Sequence, residues 1–139
     1  PVPSDYSVTI GDSALAEKDY ILGHLDDDSL VVLDCRTPAE FCGDDIRSAR
    51  GGHIPGAVNF DWVLAIDRDR NFRLKASDEI TAMLTERGVT ADKEIIAHCQ
   101  THHRSSHTYV VLKSLGYTNI KGYDGSWSEW GNDPDVPIE

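Results

Sequence analysis

Apolar residues fall along this chain in short blocks separated by polar turns, and the blocks follow two periods. Leu15, Ile21, Leu22 and Leu25 recur at helical spacing and predict a helix over 14–25. LVVLD, 30–34, is a continuous apolar run closed by an acid, the pattern of a strand buried on both faces of a parallel sheet. A short helix is expected over 37–42, and GDDIRSARGG, 43–52, reads as surface loop. GAVNFD, 56–61, predicts a second strand; Ile80, Met83 and Leu84 mark a helix over 77–87 ended by Gly88. KEIIAHC, 93–99, is a third strand, followed by a helix over 104–115 that Gly116 ends. TNIKGYD, 118–124, gives a fourth strand and SWSEW, 126–130, a last helical turn. Strands alternating with helices imply an α/β fold, a central parallel sheet with helices on both faces. Such sheets bind ligands beyond the carboxyl ends of their strands, which is where Cys99 stands, directly before a helix.

Composition narrows the field. At 139 residues the chain is the size of one domain with a core of its own. Hydrophobic residues at 40% and charged residues at 27% are those of an ordinary soluble protein. A net charge of −11 argues against nucleic acid or an anionic membrane as partner. No apolar run approaches the roughly 18 residues of a membrane helix, and no signal-peptide pattern opens the sequence. Three cysteines without a C-x-x-C pair make neither a disulfide framework nor a four-thiolate zinc site, so a reducing, cytoplasmic setting is expected. PVPSDYS, 1–7, with Pro-x-Pro, reads as an N-terminal extension or interdomain linker ahead of one domain over 8–139.

IIAHCQTHHRSS, 95–106, carries the densest chemistry. A thiol at a strand-to-helix turn lies close to free backbone amides and to the positive end of the helix dipole, and both favour thiolate. Inward-pointing amides would also hold an anion or an anionic sulfur species. The plainer reading of Cys99 is a small buried core residue. His98, Cys99, His102, His103 and His107 raise zinc, but adjacent His102 and His103 do not readily face one ion, and no second cluster exists, so no metal is expected. Cysteine-dependent phosphatases place five residues between cysteine and arginine, whereas four separate Cys99 from Arg104. A ring of six residues is narrower than one of seven and suits one extra sulfur atom better than a phosphoryl group.

Cys-x4-Arg at a strand end resembles the active-site loop of the rhodanese family of sulfurtransferases. GGHIPGA, 51–57, resembles the H-[IL]-P-G-A signature of that family. YDGSWSEW, 123–130, resembles the C-terminal signature of its tandem-domain thiosulfate and mercaptopyruvate sulfurtransferases. Asp34-Cys35-Arg36 with Glu40-Phe41 is similar to the D-x-R-x-x-x-E-[FY] segment. CQTHHR, 99–104, is most similar to the catalytic C-terminal domain of bacterial tandem-domain thiosulfate:cyanide sulfurtransferases of the Azotobacter type. The resemblance covers about 8–139 and implies a rhodanese-like fold with about five parallel strands.

It further implies an enzyme that needs no cofactor. On the same resemblance Cys99 is expected to be the nucleophile that takes the outer sulfur of thiosulfate or a related donor as a persulfide and passes it to a thiophile such as cyanide or a thiol. Amides from Gln100 to Arg104, through Thr101, would stabilise thiolate and persulfide. His102 and His103 either shape the loop or meet an anionic donor; solvated loop histidines are the plainer alternative. Arg104 either aims at the anion or braces the loop from outside, the resemblance favouring bracing. Asp34 and Arg36 can form an ion pair beneath the loop. Trp127 and Trp130 line the pocket mouth or pack in the core, with the core preferred. Glu40 stands where some relatives place a cationic donor-binding residue, which leaves positive potential to the amides, Arg104 and protonated histidine. Cys35 and Cys42 either stay reduced or form a reversible disulfide. Expected partners are a small donor and acceptor, with a thioredoxin-like or other acceptor protein and a preceding inactive rhodanese domain as further candidates. The rival readings are a cysteine phosphatase or arsenate reductase, and a sulfur carrier or protein-binding module without turnover.

Overall fold

The computed structural model describes residues 5, 7 and 13–139; the expected extension over 1–7 lies, but for residues 5 and 7, outside the described residues. The elements run α1 (Lys18–Leu22), β1 (Leu30–Asp34), α2 (Pro38–Phe41), β2 (Val58–Asn59), a 3-10 turn (Trp62–Ala65), β3 (Ile66–Asp67), β4 (Arg73–Leu74), α3 (Ser77–Thr85), β5 (Glu94–His98), α4 (His103–Ser114), β6 (Ile120–Gly122) and α5 (Ser126–Trp130). Four parallel strands form the sheet in the order β2-β1-β5-β6, while β3 and β4 pair as a small antiparallel ribbon.

The two central strands explain the two cores. Alternate side chains of a strand face opposite sides, so Val31, Leu33, Ile95 and Ala97 pack with Ile80 and Leu84 of α3 and Val111 and Leu112 of α4. Val32 and Ile96 face the other way, against Ile21 of α1 and Trp127 and Trp130 of α5. Each fully buried aliphatic or aromatic side chain contributes about 1.5–3 kcal/mol. Both β1 and β5 therefore read as unbroken apolar runs, because neither face meets water.

Three expectations change. The sheet has four strands among the described residues rather than about five; a lone parallel bridge from Leu15 to Gly122 extends its β6 edge. The helix expected over 14–25 shrinks to α1, because Ala14 and Ala16 give their backbone groups to Gly122. Leu15 consequently leaves the apolar face and is exposed. The 3-10 turn and the β3–β4 ribbon have no clear signal in the sequence: strands of two residues are too short to show a period.

Candidate active site

β5 carries the chain through the core and delivers Cys99 at its carboxyl end, with the residue only 1% exposed. From there Gln100, Thr101 and His102 curl back before α4 starts at His103. The curl needs one left-handed residue, and His102 takes it at φ 63°. The amides of Thr101, Arg104 and Ser105 and the Ser105 hydroxyl then turn toward the sulfur. Burial pushes the Cys99 thiol up, but the Ser105 hydroxyl and these amides more than offset it, so its pKa falls below the ordinary value. Ser105 is also 2.8 Å from His102 Nδ1. The Cε1–Nε2 edge of the His102 ring lies against Gly122, where a Cβ would come to 2.5 Å from Cε1.

The loop is held from below by the start of α5. Trp127 N–H donates to the Cys99 carbonyl and Ser128 N–H to that of Gln100, each at 2.9 Å. The Ser126 hydroxyl accepts from Cys99 N–H at 3.4 Å and donates to Tyr123 O at 2.8 Å. Gln100 reaches sideways to the Ser48 hydroxyl at 3.1 Å and to Arg47 O at 3.3 Å.

Around this sits a frame of buried charge. Arg104 binds Glu40 through both guanidinium ends, at 2.6 and 2.8 Å, and its side chain also reaches the Cys99 sulfur. Glu40 is fully buried at the third position of α2. There it closes a reciprocal cap with Thr37, taking Thr37 N–H at 3.1 Å and its hydroxyl at 3.0 Å. Burial raises the Glu40 carboxyl, but Arg104 and Thr37 outweigh it and hold its pKa at about 2. Deeper, Arg36 is paired with Asp34 at 2.6 Å, donates to Gly52 O at 2.8 Å and stacks 4.3 Å from the Trp127 ring. His98 lies 3.6 Å from Asp34, with burial lowering its pKa.

Gln100, Thr101, His102, Arg104 and Ser105 thus surround Cys99, while Thr101 and His103 are exposed at the crown. Trp127 and Trp130 are buried core residues rather than lining of a mouth. Asp34 and Arg36 lie under the loop, reaching it through Trp127 and His98. His107 packs edge-on against Trp62, away from His98 and His102; among the described residues no three metal-ligating side chains come together. Cys35 is buried and Cys42 exposed, and neither is paired. The sequence marks neither Ser105 nor Ser126 as a site residue, and it marks Glu40 only as an acid at a donor-binding position, not as the partner of Arg104. Thr37-Pro-Ala-Glu40 does carry the S/T-x-x-E capping signature, which could have located the Glu40 carboxylate at a helix start. A cleft of about 340 Å³ lined by Glu17, Lys18, Asp19, Tyr123, Asp124 and Glu129 contains no residue of the Cys99 loop.

The sequence profile of the rhodanese-like domain matches residues 17–133. The chain belongs to the rhodanese family. This rhodanese domain is 48% identical over 139 residues to the thiosulfate sulfurtransferase of Azotobacter vinelandii, covering 100% of this chain and 51% of that protein. It is 47% identical to the thiosulfate sulfurtransferase of Pseudomonas aeruginosa with the same coverage, and 38% identical to the sulfur carrier protein TtuD of Thermus thermophilus, covering 98% and 52%. The rhodanese domain therefore spans about half the length of these curated relatives. Its fold is shared with an anaerobic ergothioneine biosynthesis enzyme from Chlorobium limicola at a TM-score of 0.84 and 23% identity, over 91% of this chain and 32% of that one. No helix among the described residues is long and apolar enough to cross a membrane.

Proposed function

We propose that this rhodanese domain is a sulfurtransferase that moves sulfane sulfur from thiosulfate or a related donor to a thiophilic acceptor through a persulfide on Cys99. One observation carries this reading: Cys99 is buried at the carboxyl end of β5, where the amides of Thr101, Arg104 and Ser105 and the Ser105 hydroxyl turn toward its sulfur and lower its pKa. The Cys99 thiolate attacks the outer sulfur of thiosulfate, the S–S bond breaks, and sulfite leaves with the electron pair. The acceptor then attacks the outer sulfur of the persulfide and returns Cys99 to thiolate. The amides of Thr101, Arg104 and Ser105 stabilise the thiolate on Cys99 Sγ, and after transfer the persulfide anion, whose charge lies one S–S bond further out in the same cradle. Arg104 acts chiefly as a brace, because Glu40 occupies both ends of its guanidinium. His102, seated on Gly122 and Ser105, shapes the loop; exposed His103 and Thr101 are left to meet the donor.

Thiosulfate sulfurtransferases among the relatives, each about twice this length, support both the chemistry and a second rhodanese domain beside this one in the whole protein. Three free thiols fit a reducing, cytoplasmic compartment. The deciding measurement is intact mass after incubation with thiosulfate. A gain of one sulfur atom, reversed by cyanide and missing in Cys99→Ser, is expected. Wild-type protein that gains no sulfur, or that hydrolyses phosphate esters instead, refutes the reading.

A further inference from the structure

Cys99 has a neighbour that the sulfur-transfer cycle does not use. Strands β1 and β5 run parallel in a register that sets Asp34 beside His98. The ladder continues one step further, Cys35 N–H donating to His98 O at 2.9 Å. Cys35 is therefore the cross-strand neighbour of Cys99, and both side chains belong to the same core on the same face of the sheet. Adjacent strands lie about 4.8 Å apart, inside the Cα separation of about 4.4–6.8 Å that a disulfide spans. The charge of Cys99 adds to the forces that raise the Cys35 pKa.

We propose that Cys35 is a resolving thiol, which discharges a Cys99 persulfide that no acceptor collects, releasing hydrogen sulfide and leaving a Cys35–Cys99 disulfide. The inference rests on the persulfide reading above. Cys35 Sγ attacks Cys99 Sγ; a new S–S bond forms between them and the bond from Cys99 to the outer sulfur breaks. Cys35 sulfur is oxidised, the outer sulfur is reduced to sulfide, and the Cys35 proton leaves with it. No outside oxidant enters, because the donor has already supplied the oxidising sulfur. A dithiol reductant of the thioredoxin class would return the domain to its starting state.

The surroundings of Cys35 suit a slow reserve. Burial pushes its thiol pKa well up, so at neutral pH it stays protonated and a small acceptor is offered the persulfide first. Its Sγ donates only a long contact to Leu33 O, at 3.7 Å. The Thr108 hydroxyl, buried and without a hydrogen-bond partner among the described residues, pulls the Cys35 pKa back toward ionisation. Cys42, by contrast, is exposed and lies on α2's outer end.

The test follows persulfide lifetime in the whole chain. Protein loaded with thiosulfate and freed of excess donor is weighed intact over time while sulfide is collected. The expected course is loss of the added sulfur, a final mass two hydrogens below the reduced chain, one sulfide per chain, and a Cys35–Cys99 peptide pair on digestion. In Cys35→Ser and Cys35→Ala the persulfide should last at least about tenfold longer, whereas Cys42→Ser should match wild type. Equal lifetimes in wild type and both Cys35 variants, or release of sulfide without an internal disulfide, overturn the proposal. Failure to load from thiosulfate counts against the transfer reading alone. The chain is then loaded with inorganic polysulfide, and the same comparison decides the role of Cys35.

Discussion

Replacing Glu40 by Gln removes the charge from a carboxylate that joins α2 to the Cys99 loop while keeping its size. The carboxyl has an ordinary pKa of 4.5 and is held at about 2 in the folded chain. That difference corresponds to about 3 kcal/mol of stability at pH 7, at roughly 1.4 kcal/mol per unit. The value agrees with the cost of breaking a buried pair, about 3–5 kcal/mol, allowing for the hydrogen bonds that Gln retains. A depressed carboxyl pKa stabilises above the unfolded value and loses that contribution as pH falls from 4.5 toward 2. Urea denaturation of wild type and Glu40→Gln should thus differ by about 3 kcal/mol at pH 7 and by about half that at pH 3. Arg104, freed of its partner, should swing and loosen the amide ring, so the Cys99 alkylation pKa should rise in the same variant. A stability difference below about 0.5 kcal/mol, or one that does not shrink with acid, would refute the assignment of Glu40 as the loop's ionised anchor.

Three further outcomes test separate parts of the site. Ser105→Ala removes a hydroxyl donor to the sulfur and should raise the pKa of Cys99 inactivation by iodoacetamide, with sulfur transfer at neutral pH falling about tenfold. Gly122→Ala sets a Cβ against the His102 ring, which must leave its seat on Ser105. It should cost about 1–3 kcal/mol and reduce turnover more than Ala at exposed His103, read by thermal unfolding and initial rates. His98, His102 and His107 all have pKa values lowered by burial, so the unfolded chain takes up more protons below its histidine value of 6.5. Stability should therefore be full above pH 6.5 and decline below it, and His98→Gln should flatten that slope in urea titrations.

Much of this protein was written in its residue pattern alone. The apolar runs 30–34 and 95–98 demand strands buried on both faces, and Gly88 and Gly116 end the helices before them. The four residues between Cys99 and Arg104 keep the turn from β5 into α4 short, because the reach of a turn follows from its residue count. These properties are local, and periodicity and turn chemistry suffice to read them. What the tertiary structure decided is which distant groups meet. Glu40 and Arg104 are 64 positions apart, and only the folding of α2 against the loop turns an apparently misplaced acid into its anchor. Trp127 supports the loop through its backbone N–H, a role its ring does not announce. Cys35 stands beside Cys99 because β1 and β5 are neighbours in a particular register, and a strand's own sequence specifies its buried faces but not its partner.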